Sequence, residues 1–198
     1  MGGMMKVNLL LTLLVASLAS GCAFTPERPV PIQPQLQITS ASVGQGHTTW
    51  VDVTDERPST VLGTRGVAGV GSDITVDGDL RTPVRDAVIR GLEQHGFALA
   101  KDQSNTDHIL KVEIRNLDYK VTMGFWVGTL RTQCALKAIC MVGNTQAYEK
   151  FYRGDYQDSV MFVQSAENNE RYINAAVSNA VNRLLDDSNL MKCLASSK

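Results

Sequence analysis

The sequence predicts an α+β fold in which a mainly antiparallel sheet carries two main helices packed on one face. Three observations predict it. From His108 to Val160 apolar and polar residues alternate, with turn signals between the runs. Two other stretches, after Thr82 and after Asn168, repeat apolar residues at the three- and four-residue spacing of a helix face. No internal repeat of the length that marks a solenoid or propeller is present.

In chain order, residues 35–43 and 48–54 read as strands, because β-branched and aromatic residues cluster there between Gly- and Pro-bearing turns. Trp50 is the expected core anchor of the second. Residues 57–78 are glycine-rich and weakly periodic, which predicts a long loop or an irregular hairpin. A first helix starts at Thr82-Pro83, with threonine as cap and proline in the first turn, and Gly96 stops it. Its face is Val84, Ala87, Val88, Gly91, Leu92 and His95. Residues 97–100 make a short strand, followed by a turn.

Residues 108–121 form a long strand whose apolar positions are 110, 112 and 114, then 117, 119 and 121. The switch of parity predicts a bulge near Arg115 or Asn116. In residues 129–142 the alternation puts Cys134, Leu136, Ala138, Cys140 and Val142 on one face, and Gly143-Asn144 turns the chain into a strand over 148–160. The final helix, residues 168–187, carries the stripe Ile173, Ala176, Val177, Ala180, Val181 and Leu184.

The chain has 198 residues, 43% hydrophobic and 20% charged, with a formal charge of -1. That length suits one ordinary domain, the apolar fraction is too high for intrinsic disorder, and the charge leaves no basic footprint for nucleic acid. The N-terminus departs from the average. Lys6 precedes a 13-residue run without charge, residues 7–19, which is too short to span a bilayer. A basic start, a short apolar run and small residues before a cut are the parts of a secretory signal. Met4 or Met5 would serve as its start as well as Met1.

Leu18-Ala19-Ser20-Gly21-Cys22 resembles a bacterial lipobox, with Ala19 where Leu is commoner. The resemblance implies cleavage after residue 21 and lipidation of Cys22, whose acyl chains would hold the protein on a membrane. Ala23 follows, not Asp, which by similarity to enterobacterial sorting implies the outer membrane, periplasmic face. The organisation expected is a signal peptide at 1–21, a lipidated cysteine with a proline-rich tether at 22–35, and a single domain at 36–198. Four of the six prolines, Pro26, Pro29, Pro31 and Pro34, fall on that tether. They favour an extended polyproline II spacer, or, for the second half, a strap packed on the domain.

Three further cysteines remain, Cys134, Cys140 and Cys193. Cys134 and Cys140 share one strand ~20 Å apart, beyond disulfide reach. Either pairs with Cys193 only if the C-terminus folds back beside that strand; buried free thiols are the alternative.

No catalytic or metal constellation stands out. His47, His95 and His108 are scattered, with no GxSxG elbow, HExxH pair or CxxC spacing. His95 suits a helix C-terminus. The run from Gly63 to Gly71 lacks the Gly-Lys-Ser/Thr of a phosphate loop and fails the dinucleotide spacing. Asp55-Glu56-Arg57 before Pro58 fits a turn-fixing pair. Phe125 and Trp126, between Gly124 and Gly128 in a strand connection, are the candidate contact residues for a protein partner or a shallow membrane contact. The alternative is that Trp126 caps the core.

Several of these features occur together in one known family. The lipobox at Cys22, the Asp55-Glu56-Arg57 turn after a strand, Asp79-Leu80-Arg81 opening the first helix and Gly96-Phe97 closing it, the hairpin, and the final helix at 172–185 resemble the YajG family of bacterial lipoproteins. The resemblance spans nearly the whole chain, although the Phe125-Trp126 loop and the glycine-rich stretch are less typical. It implies an envelope lipoprotein without an established catalytic activity, and the residues lead us to expect no cofactor and no metal. The layout is also loosely similar to periplasmic lipoproteins that assist larger machines, such as peptidoglycan-synthase activators and auxiliary components of lipid transporters. The expected function is therefore a non-enzymatic binding or assembly accessory of the envelope, anchored to the membrane through Cys22 and meeting an envelope protein partner. The alternative is a carrier of a small apolar or lipid ligand between sheet and helices.

Overall fold

The computed structural model describes residues 27–38, 42–67, 70–106, 108–161 and 164–196. The signal, Cys22 and Pro26 lie outside the described residues. Strand β1 (Thr48–Asp55) is followed by a hairpin of β2 (Val61–Val67) and β3 (Val70–Thr75), helix α1 (Arg81–Gln94) and the short β4 (Ala98–Leu99). Then come β5 (His108–Met123), β6 (Gly128–Val142), β7 (Thr145–Val160), α2 (Ala166–Leu185) and α3 (Ser188–Leu194).

Five strands make the main sheet in the order β4-β1-β5-β6-β7, and β2 with β3 make a separate two-stranded sheet. The expectation of a mainly antiparallel sheet needs correction, because the sheet is mixed. β1 runs parallel to both β4 and β5, while β5, β6 and β7 are antiparallel. The cause is α1, which carries the chain back to the end where β1 began, so that the strands after it enter in the same direction as β1.

The alternation in β5 and β6 does what its pattern predicts. Leu110, Val112 and Ile114 are buried, the register slips between Ile114 and Asn116, and Leu117 and Tyr119 then resume the inward face. The unpaired residue is Arg115, whose exposed side chain would otherwise have forced every later residue of β5 onto the wrong face. Leu130, Thr132, Cys134, Leu136, Ala138 and Cys140 of β6 face the same way and are buried.

Both main helices lie on that inward face. α1 buries Val84, Ala87, Val88, Gly91 and Leu92. Its N-terminus is capped differently from expectation: Thr82 is inside the helix, and the Asp79 carboxylate accepts from the Arg81 N–H and the Thr82 hydroxyl. α2 buries the expected stripe and is capped by Ser165, whose hydroxyl accepts from the Asn168 N–H. α2 comes so close to β7 that a Cβ on Gly154 would collide with the Ala176 carbonyl and the Ala180 amide. Only glycine allows that approach.

Two expectations about β1 and its approach change. Trp50 is half-buried rather than a core anchor, because the inward parity of β1 belongs to Thr49, Val51 and Val53. The Arg85 guanidinium sits 5.7 Å over its ring while Arg85 Nε donates to the Val51 carbonyl, which β4 is too short to reach. The strand expected over 35–43 is absent from its described parts, residues 35–38 and 42–43, and residues 39–41 lie outside the described residues.

The segment before it is an extended strap on α2. Val30 and Ile32 are buried in the core, and Val30 bridges Val76. The N–H groups of Gln33, Gln35 and Gln37 donate to Asn174 Oδ1, Ser178 Oγ and Asn182 Oδ1 at 2.6, 2.9 and 2.9 Å. In return the amides of Asn174 and Asn182 donate to the carbonyls of Pro31 and Gln35. Four helical residues advance ~6.0 Å and two extended residues ~6.5 Å, so the two ladders stay in step.

Candidate functional site

The two aromatics singled out by the sequence stand at the tip of the β5–β6 hairpin. Phe125 is 91% exposed and Trp126 81%, their rings edge to face at 5.0 Å. Trp126 therefore does not cap the core. The loop is closed by the Gly124 N–H donating to the Val127 carbonyl at 3.0 Å, and a Cβ on Gly124 would meet that same oxygen at 2.6 Å. Glycine at this position is what lets the turn be tight enough to push both rings outward.

Three further apolar side chains join the patch without having been foreseen. Met123 and Val127 flank the aromatics, and Met161 arrives from the end of β7, where Val160 pairs with Gly128. All three are exposed. The alternation of β5 hides this patch from a sequence reading, since Met123 looks like one more strand residue. Met161 is brought in only by tertiary pairing.

At the same end of the molecule the strap terminates in a buried polar cluster that sequence reasoning missed. The Glu27 side chain is 1% exposed and pairs with Arg65 at 2.8 Å. Asn169 donates to Glu27 Oε1 at 3.2 Å and accepts from the Tyr119 hydroxyl at 2.8 Å. Burial, and then the negative field of Glu27, push the Tyr119 phenol above its ordinary range. No local pattern announces this cluster, because its members come from the strap, β2, β5 and α2.

A second convergence fixes the opposite end of α2. Asp187 Oδ2 accepts from Lys150 Nζ at 2.6 Å, Tyr152 OH at 2.9 Å and Tyr148 OH at 3.0 Å. Its other oxygen caps α3 through the N–H groups of Asn189 and Leu190. Burial alone would raise this carboxyl, but the donors from Lys150, Asn189, Tyr152 and Tyr148 outweigh it and hold it well below the usual carboxylate range. The three side-chain donors are alternate residues of β7, so one strand face latches the α2–α3 junction. A carboxylate so fully bonded is a structural pin rather than a proton-transfer group.

The remaining sequence candidates resolve as follows. Cys193 pairs with Cys140, closing a separation of 53 residues, because α3 folds back onto the inner face of the sheet. Cys134 is a free, buried thiol whose burial pushes it up to about 12. Arg57 clasps the Asp55 carboxylate through Nε and Nη2 at 2.8 and 2.7 Å, which lowers Asp55 and fixes the turn. Within the glycine-rich stretch 57–78, β2 and β3 pair as an antiparallel hairpin, with a bulge between Val61 and Gly63, and residues 68–69 lie outside the described residues. His47 and His108 approach edge to face at 6.1 Å. Ser196 Oγ lies 3.5 Å from His108 Nε2 but donates at 2.8 Å to the Cys193 carbonyl, so the serine is not activated by the imidazole.

Three surface clefts have the geometry to admit small molecules. The first, about 910 Å³, lies beside Lys150, Tyr152, Arg183 and Asp187. The others, about 490 and 390 Å³, border the strap along α2 and α1. All three open outward. Between sheet and helices, Leu110, Ile114, Leu136, Ile173 and Leu184 are fully buried and fill the layer. Among the described residues no helix is long and apolar enough to cross a membrane, and no cluster of His, Cys, Asp or Glu could hold a metal ion.

A family model described as uncharacterized lipoprotein matches residues 34–195. Protein XCC0632 from Xanthomonas campestris is similar in fold, with a TM-score of 0.53 at 10% identity, covering 78% of this chain and 91% of that one. A neuraminyllactose-binding hemagglutinin homolog from Helicobacter pylori is similar at a TM-score of 0.52 and 8% identity, covering 85% of this chain and 97% of that one. At such identities the likeness is one of fold alone. Comparison with curated proteins gives no match.

Proposed function

The chain belongs to this family of uncharacterized lipoproteins, and from that premise we propose that it is a non-enzymatic, lipid-anchored binding or assembly accessory of the bacterial envelope. In this reading residues 1–21 are a signal peptide, Cys22 is the lipidated N-terminus, and the domain faces the periplasm from the outer membrane. The finer membership we propose is the YajG group, on the Asp55-Glu56-Arg57 turn and the boundaries of α1. The docking element is the hairpin tip. What carries the reading is the exposure of Phe125 and Trp126 on a frame whose other large aromatics, apart from Phe151 at 54%, are at least half-buried among the described residues. Exposed aromatics of this size are costly to leave in water unless something covers them.

Two measurements test the two parts. Palmitate labelling of the full chain is expected to mark the wild type, with processing blocked by globomycin, and to leave Cys22→Ala unlabelled. An unlabelled wild type, or a labelled variant, overturns the anchor. In-cell crosslinking from the tip, followed by mass spectrometry of protein and lipid adducts, is expected to lose its adducts when Phe125 and Trp126 are both changed to Ala. An unchanged adduct pattern overturns the tip as the docking element.

A further inference from the structure

We propose that the hairpin tip is a second membrane contact, inserting Phe125 and Trp126 into the interface of the same lipid surface that holds Cys22. The inference rests on the lipid-anchor reading above and names the partner of that site.

The path of the strap is the first argument. As residue numbers fall from Gln37 to Glu27, their partners on α2 fall from Asn182 through Ser178 and Asn174 to Glu170 and Asn169. The chain therefore travels toward the first turn of α2 as it approaches Cys22. That turn follows closely on Val160, which pairs with Gly128 at the root of the hairpin. The strap and the aromatic tip point to the same end of the molecule.

Reach is the second. Glu27 is held by the buried pair with Arg65 and by Asn169, which is itself bonded to Tyr119. From Tyr119 to Met123 at the hairpin root is ~13 Å of strand. Glu27 is five residue steps from Cys22, and that length of chain spans at most ~17 Å. Fully extended, that chain lets Cys22 reach a lipid surface at about the height of the tip, and the clamp at Glu27 denies the domain a long spacer on which to swing away from it.

Chemistry is the third. The tip presents two aromatics with Met123, Val127 and Met161, the mixture that settles at the boundary of headgroups and acyl chains. Just below it, Lys120 and Arg131 are exposed and directly opposite each other across β5 and β6. Arg131 is shared with Asp155 at 3.3 Å, the Asp118 carboxylate interacts electrostatically with both cations, and Lys120 makes no ion pair among the described residues. Like charges opposed on a sheet are unfavourable alone. A layer of phosphates at that height would relieve them, which a neutral apolar protein groove would not.

The test uses full-length lipidated protein carrying Trp50→Phe, so that Trp126 is the sole tryptophan, reconstituted into vesicles of equal parts phosphatidylethanolamine and phosphatidylglycerol. Flotation reports the anchor, and quenching by phospholipids brominated near the headgroup reports the tip. The expected result is co-flotation with loss of most Trp126 emission. A matched variant carrying Phe125→Ser in the same background is expected to float equally and lose less. Flotation without quenching overturns the tip contact while leaving the anchor standing. Failure to float overturns the anchor and the proposal with it. A photo-crosslinking residue at position 126 is expected to capture phospholipid in cells; capture of protein alone overturns the lipid assignment.

Discussion

The strap on α2 and the hairpin tip lie at neighbouring places in the fold and treat their side chains in opposite ways. Along the strap, Asn174, Ser178, Asn182, Glu27 and Arg65 are all turned inward to bond other parts of the chain. At the tip, Phe125 and Trp126 touch little but each other. Polar residues that look like a solvated helix face are thus internal structure, and apolar residues that look like core are surface. The contrast teaches that function is better sought where folding leaves a demand unmet than where polar groups gather.

The largest expected break of this contrast is at the strap. Arg65→Met removes the partner of a carboxylate that is 1% exposed, and among the described residues Asn169 is left to compensate. Stripping one member from a buried pair costs about 3–5 kcal/mol. Urea unfolding is expected to show that loss, together with faster proteolysis near residue 27. A midpoint unchanged from wild type would mean that Glu27 is not buried in solution. Next in size, replacing Cys140 and Cys193 by Ser releases a 53-residue separation. Chain entropy assigns such a closure about 4 kcal/mol, with measured cases commonly nearer 2–4. Ser178→Ala, which removes the middle rung of the ladder, is expected to cost about 1 kcal/mol.

How much of this was legible follows the range of the interactions involved. The parity of β5, including the slip at Arg115, and the stripe of α2 are local periodicities, and both appear where the pattern puts them. Phe125 and Trp126 are legible as a turn between glycines and as candidate contact residues, but only the fold decides against Trp126 capping the core. For the strap, the prolines of residues 22–35 predict a spacer or, in the second half, a strap packed on the domain, whereas residues 35–38 look like the start of a strand because they alternate apolar and polar residues as any extended chain on a surface does. Its partner is a helix rather than a strand. The available signal was the polar series Asn174, Ser178, Asn182 at four-residue spacing beside the apolar stripe, which matches every second amide of an extended chain. Parallel pairing of β1 was also readable, since a strand, a helix and a strand in sequence imply a crossover. The Glu27 cluster and Met161 were not, because nothing local links four separate elements.

Acid provides a gentler probe of the closed region. Asp187 is held below the usual carboxylate range, so its contribution is fully present above the unfolded value of about 3.9. It is lost as pH falls below that value through the lower folded one. Stability is therefore expected to be flat in this group across neutral pH and to decline in acid. Asp187→Asn should show a shallower acid decline in urea midpoints measured over that range. An equally steep decline in the variant would assign it to other carboxylates.

The smallest expected effect is at the tip, and it is the most informative about the contrast. Phe125→Ser with Trp126→Ser removes two of the largest side chains in the protein, yet both stand almost wholly in water. Truncating a buried aromatic costs about 3–5 kcal/mol, whereas an exposed site away from caps and networks changes stability by less than about 0.5 kcal/mol. The Gly124–Val127 backbone bond that closes the turn needs neither side chain. Unfolding in urea is therefore expected to be unaltered within that margin. A loss of several kcal/mol would mean that the rings pack on the domain in solution, and the tip would then be part of the frame. Unchanged stability would leave the aromatics with no role in holding the fold, so that their exposure has to be explained by what they touch outside it.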